Sequence, residues 1–140
     1  MKLVLQRVAN AAVYIEGQTV AKISQGLLIF FGVEKNDNSD KVNYLADKAL
    51  TLRIFQDDKG KMNFSCLDVS GEVLVISQFT LAGDCTKGKR PSFDNAAQPK
   101  EAKFLYRQFI KKVSESGLTV KEGEFGANML VEIDNDGPVT

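Results

Sequence analysis

Residues 26–33, GLLIFFGV, form an unbroken apolar run of strand length. A run this short, bounded by Ser24-Gln25 before it and the polar residues 36–40 after it, reads as a β-strand buried on both faces. Residues 72–78, EVLVISQ, repeat the pattern after the turn signal Ser70-Gly71 and predict a second such strand. Upstream, residues 2–15 alternate, with Leu3, Leu5 and then Val13, Ile15 on one face, as a half-buried strand does. Glu16-Gly17-Gln18 predicts a hairpin turn into a strand over 19–23.

Between the two apolar runs, Val42, Leu45, Ala46, Ala49 and Leu50 recur at helical spacing. They predict a helix over about 40–52, capped by Ser39 or Asp40. Arg53-Ile54-Phe55 resumes extended structure, and residues 57–61, DDKGK, make a turn. Residues 82–98 are irregular and rich in Gly, Lys, Asp and Pro. A second helix begins at Pro99, which suits a first helical position. Ala102, Leu105, Tyr106, Phe109, Ile110 and Val113 form its apolar stripe, Lys111 and Lys112 sit in its last turns, and Gly117 ends it. Residues 119–123 and 129–134 read as closing strands. The order β-β-β-α-β-β-α-β-β implies an α/β domain over 1–140, with a mixed, mostly antiparallel sheet and two helices on one face.

Composition narrows the chemistry. The chain has 140 residues, 44% of them hydrophobic, with 18 basic and 18 acidic side chains. A balanced charge does not announce a nucleic-acid partner, so any RNA contact must be local. Nothing resembles a signal peptide or an apolar membrane span, and the expected location is the cytoplasm, away from membranes. There is no histidine. That excludes Ser-His-Asp and Cys-His catalysis and any histidine-ligated metal. The only cysteines, Cys66 and Cys85, lack ligand spacing, so neither metal nor cofactor is expected.

Three segments invite a functional reading. Ser77-Gln78-Phe79-Thr80-Leu81 turns abruptly polar at the end of a buried strand, where amides and hydroxyls can face a cleft; alone, it reads more plainly as a strand running into a capped turn. Lys87-Gly88-Lys89-Arg90-Pro91-Ser92-Phe93 sets three cations beside an aromatic, which suits phosphates and a stacked base or, more plainly, solvent. Asn135-Asp136-Gly137-Pro138-Val139-Thr140 is by itself an ordinary turn.

Together with Phe125-Gly126-Ala127-Asn128-Met129 and the opening MKLVLQRV, these segments resemble the D-aminoacyl-tRNA deacylase family in order and spacing across the whole chain. The resemblance implies a three-layer β/β/α fold that forms a homodimer, with the active site at the interface. It implies an ester hydrolase that removes D-amino acids, and glycine mischarged on tRNA-Ala, from the acceptor end of tRNA. SQFTL would line the pocket, with Ser77, Gln78, Phe79 and Thr80 as the catalytic segment. Gly137 and Pro138 of the other subunit, joined by a cis bond, would form a backbone wall that captures the α-amino group and excludes L side chains. Phe125, Gly126, Ala127 and Met129 would line the terminal-adenosine side. Members of the family continue past GPVT into a final strand, whereas this sequence ends at Thr140; a shortened chain would anchor the Gly-Pro loop less firmly.

Hydrolysis needs an activated water and donors for an oxyanion. Backbone amides near Phe79 and Thr80 are the natural donors. Thr80 is either the nucleophile or a positioning residue, and the motif supplies it no base. The substrate's own ribose 2′-hydroxyl can then orient the water. Lys87, Lys89 and Arg90 are the expected phosphate contacts. The alternative is a non-catalytic module that binds the tRNA acceptor end.

Overall fold

Strand β1, Lys2–Ile15, organises the sheet because its two halves pair differently. The computed structural model describes residues 1–140. In the first half, Lys2 to Val8 pair antiparallel with β3, Gly26–Gly32. In the second half, residues from Ala11 onward pair with β2, Gln18–Ile23, across a tight turn in which Glu16 and Gly17 both take positive φ, as a two-residue hairpin requires. The opposite edge of that half receives β8, Leu130–Asn135. Register shifts at Val8/Asn10 and at Val13/Tyr14 mark where the long strand bends.

Strand β6, Glu72–Ser77, lies parallel to β3, and β7, Val120–Glu122, lies parallel to β6. The six-stranded sheet therefore runs β2-β1-β3-β6-β7, with β8 on β1. The expectation of a mixed sheet with more antiparallel than parallel pairings holds.

The period of two in β3 and β6 separates two cores. Leu27, Ile29, Phe31, Val73 and Val75 face the helices α1, Ser39–Thr51, and α2, Pro99–Ser114. There they meet Val42, Ala46 and Ala49 of α1 and Leu105, Tyr106, Phe109 and Val113 of α2. Leu28, Leu74 and Ile76 point the other way, onto Val8, Val13, Ala21 and Ile23, with Val131 and Ile133 packed alongside. Helices, central strands and the folded-over β1-β2-β8 region make the three layers. Both apolar runs are buried on both faces for this reason.

Two local expectations are corrected. Asn38, not Ser39 or Asp40, caps α1: its extended backbone places Oδ1 to accept the Lys41 amide at 3.1 Å. Extended structure after Arg53 narrows to β4, Phe55–Gln56, which pairs with an unanticipated β5, Met62–Phe64. The turn between them is tied by Asp57, whose Oδ1 accepts the Lys59 and Lys61 amides. No helix is long and apolar enough to cross a membrane.

Candidate active site

The site begins where β6 runs out. The Gln78 amide donates to the Phe31 carbonyl at 2.8 Å, holding the strand end against β3. The chain then winds into a short 3-10 turn, Phe79–Ala82. Gly32 permits this packing, because a Cβ there would lie 2.9 Å from the Gln78 carbonyl oxygen and 2.9 Å from Leu81 Cβ. The first amides of such a turn have no acceptor within it, which leaves the N–H groups of Phe79 and Thr80 available. The Gln78 side-chain amide donates to Thr80 Oγ1. That amide is not a base, so the Thr80 hydroxyl has a partner that orients it and none that activates it.

The facing wall is the segment after β7. Phe125 packs against Tyr106 at 5.8 Å between ring centroids, and Gly126 takes a positive φ that turns the chain. Tyr106 is fixed in turn, its hydroxyl donating to the Val75 carbonyl at 2.8 Å; burial raises its phenol far above the ordinary range and keeps it protonated.

Between these walls lies a cavity of about 500 Å³. Ser77, Gln78 and Phe79 line one side, and Phe125, Gly126, Ala127 and Met129 the other. Sequence reasoning thus named residues from two distant segments that the fold brings to one cavity. It missed Ala96, Ala97, Pro99 and Ala102, which also line the cavity and carry no polar signal by which to find them. No residue lining the cavity carries a titratable side chain. Its polar lining side chains are the Ser77 hydroxyl and the amides of Gln78 and Asn128, none of them a base.

The other expected residues stand apart. Thr80 is exposed at the rim and does not line the cavity. Lys87, Lys89 and Arg90 are exposed and form no ion pair with a carboxylate. Their loop is pinned at its base by reciprocal backbone bonds between Asp84 and Ser92, of 2.8 and 2.9 Å. Just beyond, Phe93 meets Phe79 edge-on at 5.1 Å, which joins the basic loop to the rim of the cavity.

Gly137 and Pro138 are exposed and do not line the cavity of their own chain; the bond between them is cis. Their loop is braced by a residue the sequence did not single out. Arg7 is buried; its Nε donates to the Asp136 carbonyl at 2.9 Å and its Nη1 to the Ile54 carbonyl at 2.7 Å. The Arg7 amide donates to the Val139 carbonyl, and the Val139 amide to Asn135 Oδ1 at 2.7 Å. A charge at an inward position of an alternating strand was the available clue.

Comparison with known proteins bears on this geometry. A family model described as D-Tyr-tRNA(Tyr) deacylase matches residues 4–140. The D-aminoacyl-tRNA deacylase of Thermosipho africanus is 54% identical over 140 residues, covering 100% of this chain and 94% of the relative. That of Clostridioides difficile is 51% identical with the same coverage. A solved structure of the c-Myc DNA unwinding element binding protein superposes with a TM-score of 0.93 at 36% identity, covering 99% of this chain and 95% of the other. A probable eukaryotic D-amino acid tRNA deacylase superposes at 0.81 with 16% identity, over 97% and 94%, and so shares the fold. A family model spanning nearly every residue, and identity above one half along the full length, show the family: the chain belongs to the D-Tyr-tRNA(Tyr) deacylase family.

Proposed function

We propose that this chain hydrolyses the ester joining a D-amino acid, or glycine, to the terminal ribose of tRNA. Family membership supports the deacylase activity itself. The observation that carries the finer reading is the uncharged cavity, whose lining includes the strand end leading into the 3-10 turn and no titratable side chain. Water attacks the ester carbonyl, and the N–H groups of Phe79 and Thr80 stabilise the oxyanion that forms. The water's proton passes by way of the ribose 2′-hydroxyl to the departing 3′-oxygen, releasing free amino acid and tRNA. Ser77 and Gln78 hydrogen-bond around the ester, and Thr80 is a positioning residue. Phe125 stacks on the terminal adenine beside Gly126, Ala127 and Met129.

Chirality resides, on this proposal, in Gly137 and Pro138 of a second copy of the chain. Their exposure, their position outside their own cavity and the Arg7 brace support a part built to project into a partner. A backbone wall rejects L side chains by exclusion and need not recognise each D side chain. Lys87, Lys89 and Arg90 take phosphates near the acceptor end, adjoining the cavity through the Phe93–Phe79 contact. The test is ester loss from matched D-tyrosyl-, L-tyrosyl- and glycyl-tRNA at equal enzyme. The D and glycyl esters should be cleaved and the L ester spared; equal D and L rates would falsify the chiral reading.

The solved structure at 36% identity carries the name of a DNA-element binding protein, which favours as a second reading a module that binds nucleic acid without turnover. The same assay separates the two, because binding without ester loss would leave only the second.

A further inference from the structure

Helix α2 gathers its unpaired cations on one flank. Lys100, Lys103, Arg107 and Lys111 follow at intervals of three and four residues. That spacing confines them to about 80° of the helix circumference and spreads them over about 16 Å of its length. All four are exposed, and none forms an ion pair. On the flank facing α1, by contrast, Lys112 is neutralised by Asp47 at 3.7 Å and Glu115 at 3.8 Å. In a chain of zero net charge such a line of free cations is a local surplus. An aromatic stands beside them: Phe104 lies about 20° outside that arc and is 59% exposed. Cations tracking a backbone, with an aromatic face for a base, are what single-stranded nucleic acid requires of a protein surface.

The stripe is continuous with the active site. Pro99 and Ala102 of the same helix line the catalytic cavity. Lys103 Nζ sits 6.0 Å from the centroid of the Phe125 ring. Lys103, Arg107 and Phe125 also border an adjoining recess of about 390 Å³, whose strand side carries Glu122 and Glu124. Those carboxylates repel a phosphate chain and confine its path to the helix side.

We propose that this flank of α2 is the track for the unpaired 3′ strand of the tRNA substrate. Phosphates pass Lys100, Lys103, Arg107 and Lys111 as the strand leaves the cavity, and a base stacks on Phe104. The proposal rests on the deacylase reading, in which the RNA 3′ end enters the cavity.

The test measures binding of uncharged tRNA, so it does not depend on turnover. Wild-type protein, the triple variant Lys100→Gln/Arg107→Gln/Lys111→Gln and the variant Phe104→Ala are titrated at several salt concentrations. The titrations use intact tRNA and tRNA lacking all its unpaired 3′ nucleotides. Neutralising three phosphate contacts to a single strand should lower the slope of log K against log salt by about 2, with affinity falling on the order of tenfold or more. Phe104→Ala should weaken binding roughly fivefold or more with the slope unchanged. On the truncated tRNA each variant should match wild type. The replaced side chains are exposed, and circular dichroism with thermal melting checks that the variants fold. Wild-type affinity and slope in a folded triple variant would overturn the proposal. So would an equal loss on truncated tRNA, which would move the contact to the duplex. Hydrolysis of D-tyrosyl-tRNA by wild-type protein decides the deacylase reading separately.

Discussion

Replacing Gly32 with alanine should damage activity as well as stability. The added Cβ would lie 2.9 Å from both the Gln78 carbonyl oxygen and Leu81 Cβ. Comfortable carbon contacts are about 3.5–4.0 Å, so something must yield by more than half an ångström, on the order of that difference. Strand β3 cannot retreat, because Phe31 and Val33 on either side are buried in the helix-facing core. The 3-10 turn, exposed along one side, is what moves. Crowding of this kind costs about 1–3 kcal/mol in stability. The turn also carries the proposed oxyanion donors, and a misplacement approaching an ångström can cost on the order of 10²-fold in rate. Urea denaturation gives the first quantity and single-turnover hydrolysis of D-tyrosyl-tRNA the second. A Gly32→Ala protein that loses stability yet hydrolyses at the wild-type rate would refute the placement of the donors in this turn.

Three further outcomes follow from the same geometry. Thr80→Ala keeps the backbone amide and removes one hydrogen bond with Gln78, worth about 1 kcal/mol or roughly fivefold in rate, whereas a substrate ending in 2′-deoxyadenosine should react far more slowly; a folded but dead Thr80→Ala enzyme that cleaves the deoxy substrate normally would make Thr80 the nucleophile. Arg7→Gln should destabilise the protein by about 2 kcal/mol in urea denaturation, because the Ile54 and Asp136 carbonyls lose their donor, and an unchanged midpoint would remove Arg7 as a brace. In thiol labelling at pH 8, Cys85, which is exposed, should react in the native protein, while Cys66, buried and pushed up to about 11 by desolvation, should react only after denaturation; two fast thiols in native protein would contradict the packing around Cys66.

The elements were legible where one periodicity governs a segment. The double-sided runs gave β3 and β6 because nothing else suits eight apolar residues between turns. Helix α2 was legible from Pro99 at its start to Gly117, which takes a positive φ beyond its end. Pairing was less legible. Nothing in residues 2–15 says that one strand will bend and serve three partners, since β8 reaches β1 across more than a hundred residues of chain. The cap of α1 failed for a smaller reason: Asn38, Ser39 and Asp40 can each cap, and only the backbone geometry chose the first. At the site, Ser77-Gln78-Phe79 and Phe125-Gly126-Ala127 are separately unremarkable, and family resemblance rather than spacing joined them. Arg7 offered one clue, a charge at an inward position of an alternating strand, but its partners, the Ile54 carbonyl and the carbonyl and carboxylate of Asp136, are brought to it only by the fold.

The absence of titratable groups in the cavity has a cost that the rest of the molecule offsets. Fixed amide donors act strongly in a low-dielectric pocket and need no reorganisation as charge develops. But the cavity holds no base and no acid. On the proposed mechanism the ribose must bring the hydroxyl that handles the proton, so catalysis requires that the terminal nucleoside be seated, and not merely the amino acid. The seating then falls to residues outside the cavity: Phe125 at its wall, the basic loop that meets Phe79 through Phe93, and the cationic flank of α2 that begins at its mouth. Binding energy from the RNA is spent on orientation at the ester. A free D-amino acid ester engages none of those surfaces and brings no 2′-hydroxyl, so on this mechanism it should be hydrolysed far more slowly than the ester on tRNA.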